Sequence, residues 1–196
     1  MMTCRIFVVC ISLWLYGLPT VTGQAKTDDY YSDQSLRYTN HVYQKGIETV
    51  VLHRTDNVLA LPFIDLAANE SLTLHFDDLV SESVRSFNYS LIHCNALWEP
   101  SGLLEMEYMS GFFQGNITTY DQSFNTKQNY VHYQLTFPGE TDMQITLAGN
   151  YVVFVYENND KEKPVLTQRF VAYNQTVNIK YEYKRPTDPE HRNYLQ

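Results

Sequence analysis

The chain has 196 residues, 44% of them hydrophobic, with 16 tyrosines, 10 phenylalanines and a formal charge of −8. An acidic chain with no cluster of lysines and arginines repels nucleic acid and anionic lipid head groups, which argues against both as partners.

Arg5 precedes an apolar run over residues 6–18, Pro19 ends it, and Val21-Thr22-Gly23 puts small residues before Gln24. This is the layout of a secretory signal peptide over residues 1–23, cleaved before Gln24. The run is too short to span a bilayer comfortably, and no later stretch reaches ~18 apolar residues, so no membrane insertion is expected. Cys4 and Cys10 lie within or before the run, where they cannot carry a lipid anchor. Loss of Arg5 takes the charge from −8 to −9, and of the three cysteines only Cys94 remains. A secreted domain with one cysteine has no internal disulfide and must be held by its core, for which about 170 residues suffice as one domain.

Residues 24–42 are polar without sustained periodicity and read as a flexible or extended arm, with order beginning near Tyr43. Residues 47–53 form a short β-rich run. Leu72, Leu74 and Phe76 alternate with Thr73 and His75, the pattern of a half-buried strand that Asp77-Asp78 ends. A further strand-like run leads to His93-Cys94. Residues 101–111 have apolar residues and glutamates for a helical turn or two, kept short by Gly102 and Gly111. Alternation is clearest at Val131, Tyr133, Leu135 and Phe137, and Val177, Ile179, Tyr181 and Tyr183 repeat it; both predict sheets with one wet face. Residues 151–156 (Tyr-Val-Val-Phe-Val-Tyr) are apolar on both sides, as in a strand covered on both faces, with Gly149-Asn150 and residues 157–160 as turns. Residues 184–196 look like a linker. The expectation is an all-β chain, an immunoglobulin-like β-sandwich over residues 43–183.

No chemistry emerges from the motifs. His93 and Cys94 are adjacent on a strand and point to opposite faces, so a thiol-imidazole pair would need His53, His75 or His132 from elsewhere. Cys94 reads as a buried small residue. The histidines and Cys94 show no zinc spacing, and Asp28-Asp29 and Asp77-Asp78 lack calcium-loop spacing. Neither metal nor cofactor is expected, and no enzyme. Four sequons, at Asn69, Asn88, Asn116 and Asn174, read as composition. Aromatics crowd the irregular stretch after Cys94: Trp98 is expected to fold over the core, and Phe112-Phe113, if extended, cannot both point inward. Trp98, Tyr108, Phe112 and Phe113 are the candidate partner-binding residues.

The order of short motifs carries a resemblance. His93-Cys94-Asn95 with Trp98, Glu107-Tyr108 with Gly111-Phe112, and Tyr120 with Ser123-Phe124-Asn125-Thr126 follow one another. Residues 72–79, residues 130–138, Ala148-Gly149-Asn150-Tyr151 and Gln168-Arg169-Phe170 extend the likeness over about 150 residues. In this order they resemble the N-terminal domain of the plug protein of the type 9 secretion system of Bacteroidetes, where a strand ends in H-C-[DN]-x-x-W. The resemblance implies a sandwich-like periplasmic domain, peripheral to the outer membrane and monomeric within its complex. It also implies a non-enzymatic role, docking on the outer-membrane translocon and plugging its pore. Members of the family continue into a second β domain near residue 184, and a chain without it is expected to bind the pore but seal it less well. The alternative is a secreted carbohydrate-binding module, which requires a planar row of exposed rings at Trp98, Tyr108 and Phe112.

Overall fold

In the computed structural model, residues 35–80, 83–139, 143–177 and 179–183 are described; all fall in one unit, residues 33–196. The signal peptide, most of the arm and the tail from residue 184 lie outside the described residues.

The strands in chain order are β1 (His41–Val42), β2 (Ile47–Arg54), β3 (Phe63–Asp65), β4 (Leu72–Asp78) and β5 (Phe87–Cys94). A one-turn helix follows, α1 (Glu105–Tyr108). Then come β6 (Met109–Ser110), β7 (Gln114–Ile117), β8 (Thr119–Gln122), β9 (Val131–Phe137), β10 (Gln144–Ile145), β11 (Gly149–Glu157) and β12 (Asp160–Tyr173). The larger sheet runs β1-β12-β11-β5-β7, with β3 parallel to the end of β12; the smaller runs β2-β4-β9-β8; β6 and β10 form a separate pair. The chain is all-β, as its alternation predicts.

The two sheets share one core. Leu74, Phe76, Tyr133 and Leu135 from the smaller sheet meet Phe87, Tyr89, Leu91, Tyr151 and Val153 from the larger. Phe76, Phe87 and Tyr133 form a three-ring contact across the layers, with centroids 4.8–5.4 Å apart. Offset and edge-on rings of this kind add stabilisation beyond the area they bury. β11 is buried on both faces from Tyr151 to Tyr156, as its continuous apolar sequence requires. Pro164, which cannot donate to a ladder, faces Tyr156 where the β11–β12 register slips.

Two cross-links fix the sheets at one end. Arg85 donates to Glu157 of β11 (2.7 and 3.2 Å), to buried Asp78 of β4 (3.2 Å) and to Gln44 Oε1. The Tyr133 hydroxyl takes a hydrogen bond from the Arg85 N–H (2.7 Å) and gives one to its carbonyl (3.1 Å). A buried carboxylate needs such a partner.

Two expectations are corrected. Residues 37–42, assigned to the flexible arm, lie against β12: β1 pairs with Leu166 and Thr167, Thr167 Oγ1 donates to the Thr39 carbonyl (2.7 Å), and Arg169 Nε donates to that of Tyr38 (2.6 Å). The reason is that β12 is 14 residues long, and its outer edge carries backbone groups that the polar arm satisfies. The alternating residues 177–183 form no strand among the described residues. Val177, Ile179, Tyr181 and Tyr183 stand 70%, 82%, 80% and 92% exposed. Alternation prepares a strand, but a strand forms only where a neighbour takes up its backbone hydrogen bonds.

Candidate partner-binding surface

The excursion from Asn95 to Phe113 leaves the larger sheet after β5 and returns at β7. Asn95 organises its first turn: Asn95 Oδ1 accepts from the N–H groups of Leu97 (2.8 Å) and Glu99 (3.0 Å), and Asn95 Nδ2 donates to Glu99 Oε2 (3.2 Å). This turn places Trp98 at φ 64°, a left-handed conformation. Trp98 does not fold over the core. It is half-buried, with its ring stacked on the Arg169 guanidinium at 4.3 Å, and it leaves the core to smaller rings. Arg169 thereby joins Trp98 to the strapped residues 38–40.

The helix after this turn is one turn long, bounded by Leu104 and Met109 in extended conformation, with Gly102 and Gly111 at φ 74° and 84° in the flanking turns. Glu107 Oε2 accepts from the Leu104 N–H (2.6 Å) and closes its first turn. Tyr108 is 4% exposed, its hydroxyl donating to the Leu91 carbonyl (3.2 Å), and is therefore out of reach of a partner. Phe112 is 63% exposed, whereas Phe113 packs against the core. Of the four candidate residues, the structure leaves Phe112 open, Trp98 half-open, Phe113 partly buried against the core and Tyr108 closed. No planar row of exposed rings at Trp98, Tyr108 and Phe112 exists.

The exposed surface of this excursion is aliphatic as well as aromatic: Leu97, Leu104 and Met106 are 77%, 64% and 71% exposed. Sequence reasoning passed over these residues. The available signal was that they share a stretch with two glycines and no sheet period, where apolar side chains have no assigned core.

His93 lies on the core side of β5, with its ring 5.6 Å from that of Tyr108 and 5.0 Å from that of Tyr151. Burial pushes its imidazole below the usual histidine range. Cys94 faces away, 2% exposed, and burial pushes its thiol up to about 11. A thiol so disposed is a poor nucleophile. The histidines suggested as partners for it sit elsewhere. His53, His75 and His132 stack on one another on the smaller sheet at 5.2 Å spacing; His75 Nδ1 lies 3.1 Å from His132 Nε2, and His132 Nδ1 contacts Asp77 Oδ1 (2.6 Å). Among the described residues no cluster of three or more histidines, cysteines or carboxylates is placed to hold a metal ion. No described helix is long and apolar enough to cross a membrane.

Residues 47–174 match the family model of the type 9 secretion system plug protein 1st domain. The match begins on the first residue of β2 and ends just after β12. A hypothetical protein from Parabacteroides merdae, known from a crystal structure, is 28% identical with a TM-score of 0.65; the match covers 70% of this chain and 34% of that one. The chain thus spans about a third of that relative's length. An alkylpurine DNA glycosylase of Pseudomonas fluorescens bound to DNA matches at 10% identity and a TM-score of 0.31 over 63% of this chain and 30% of its own, a likeness too slight to bear on function. Among curated proteins, no match is found.

Proposed function

The chain belongs to the type 9 secretion system plug protein family, in its first domain, and on that premise we propose that it docks on the periplasmic side of the outer-membrane translocon and closes its pore. The family match over residues 47–174 carries this reading. Closing a channel calls for shape and a releasable interface and for no bond chemistry. Three features support it. The core is a ring-rich layer held without a disulfide, which suits a rigid plug. The one cysteine of the described residues, Cys94, is buried and its thiol is raised to about 11, which disfavours thiolate chemistry. The Asn95–Phe113 excursion offers Leu97, Leu104, Met106 and Phe112 as apolar contact surface, the composition of the centre of a protein interface. A signal peptide cleaved before Gln24 delivers the chain to the periplasm.

The test is capture of the purified translocon by the protein, with outer-membrane permeability measured in a strain lacking its gene. Phe112→Ala together with Met106→Ser is expected to weaken capture at least tenfold with an unchanged melting temperature, and gene deletion is expected to let normally excluded solutes through. No capture, together with unchanged permeability, overturns the reading.

A further inference from the structure

A second surface lies on the larger sheet where β5 and β7 meet the β11–β12 turn. It is a cleft of about 630 Å³ with five carboxamides, Asn88, Gln114, Asn116, Asn158 and Asn159, and the ring of Phe112 at its side. Its lining holds no ionisable side chain, although 36 of the 196 residues (14 Lys and Arg, 22 Asp and Glu) are charged. Glu105 and Lys161, on another side of Phe112, border a separate depression.

The cleft is built in advance. The Asn159 N–H donates to Asn88 Oδ1 (2.7 Å), and the Asn158 N–H donates to the Ser86 carbonyl (3.0 Å), which pins the turn to the start of β5. Asn158 and Asn159 take φ values of 53° and 56°, a left-handed pair that asparagine tolerates better than other side chains. Asn88 Nδ2 donates to Asn116 Oδ1, tying β5 to β7, and the Tyr156 hydroxyl donates to Gln114 Oε1 (3.2 Å). These bonds use the oxygens of Asn116 and Gln114 and leave their amide N–H groups for a ligand.

From this lining we infer that the protein binds a neutral oligosaccharide here. Carboxamides offer a donor and an acceptor side by side, matching the paired donor and acceptor character of neighbouring sugar hydroxyls. An exposed aromatic ring covers the apolar C–H face of a pyranose. The volume falls within the ordinary range of small-ligand sites, roughly 300–1,000 Å³. A phosphate or carboxylate ligand finds no cation in the lining. An extended peptide calls for pockets for its alternate side chains, and the lining has one large apolar side chain, Phe112. The inference does not rest on pore docking, although Phe112 borders both surfaces; of the two, Gln114 belongs to the cleft alone.

The purified protein is titrated with cellotriose, maltotriose, laminaritriose and N,N′-diacetylchitobiose, and separately with an uncharged hexapeptide of alternating asparagine and valine. Ligand-observed NMR and calorimetry serve as readouts. At least one sugar is expected to bind with a Kd of about 1 mM or below, an affinity ordinary for a shallow site. Phe112→Ala is expected to weaken it about tenfold without moving the melting temperature, and Gln114→Ala to weaken it about tenfold with a small loss of stability, because the buried Tyr156 hydroxyl loses its acceptor. Three results overturn the inference: no sugar binding below about 10 mM, sugar binding unmoved by both substitutions, or binding of the peptide in place of the sugars.

Discussion

A Cβ on Gly149 would stand 2.4 Å from His93 Nε2 and 3.0 Å from its Cδ2. The glycine of Ala148-Gly149-Asn150-Tyr151 and the histidine of His93-Cys94-Asn95, 56 positions apart in sequence, are thus one packing unit. The imidazole occupies the space that a side chain on β11 would otherwise take. Tyr108 and Tyr151 hold the ring on its other sides, and Gly149 is itself in register with Ala172, so neither partner is free to move away.

Gly149→Ala is expected to destabilise the protein by about 1–3 kcal/mol, the cost of overpacking a closed site. Urea denaturation measures it. His93→Ser in the same chain should recover part of the loss, and the coupling in that double-mutant cycle reports the contact itself. Purely additive effects would show that the ring and the glycine do not constrain one another.

Arg85→Met is expected to cost about 3–5 kcal/mol, because Asp78 has no exposed side-chain surface and is left as an unpaired buried charge. Asp78→Asn in the Arg85→Met background should restore much of it. If Arg85→Met alone leaves the unfolding midpoint unmoved, the contact with Asp78 contributes nothing.

Stability is expected to fall as pH drops below about 6.5, the ordinary value for the histidine side chain. The His75 imidazole is held below that value chiefly by burial and further by repulsion from the neighbouring His132 and His53 rings, with Asp77 opposing; burial also depresses that of His93. In this window the unfolded chain therefore takes up more protons than the folded one, and the stabilisation present above it is lost on acidification. His75→Gln should flatten the dependence of the denaturation midpoint between pH 7 and pH 5. An identical slope in the variant would exclude His75 as a source.

Cys94→Ala is expected to lose about 1 kcal/mol, as for deletion of a small buried group, and to leave translocon capture intact. In the native state Cys94 should react slowly with a thiol reagent at neutral pH, since its thiol is raised to about 11, and rapidly only in denaturant. Fast native labelling, with loss of capture in Cys94→Ala, would contradict a purely structural cysteine.

Much of this protein is legible in its sequence, because sheet faces are written in steps of two. Leu72, Leu74 and Phe76, and Val131, Tyr133, Leu135 and Phe137, name their own inward faces, and the apolar run over residues 151–156 names a strand buried on both. The adjacency of His93 and Cys94 rules out their direct pairing for the same reason, and the motif order announces the family. Tertiary structure decided what depends on a distant neighbour. The alternation of Val177, Ile179, Tyr181 and Tyr183 has the same form as that of β9, yet no described strand lies beside it to complete its hydrogen bonds. The polar residues 37–42 have no strand pattern, yet β12 offers an edge and they take it. Trp98 has the size of a core residue, but its left-handed turn carries it to Arg169; Phe112 and Phe113 are equally apolar, and only the path of the chain sends one out and the other in. The amide cleft was equally hidden, since Asn88, Asn116 and Asn159 meet only where β5, β7 and the β11–β12 turn converge. A residue's periodicity is a local property of the chain, whereas its burial and its hydrogen-bond partners are set by what folds against it.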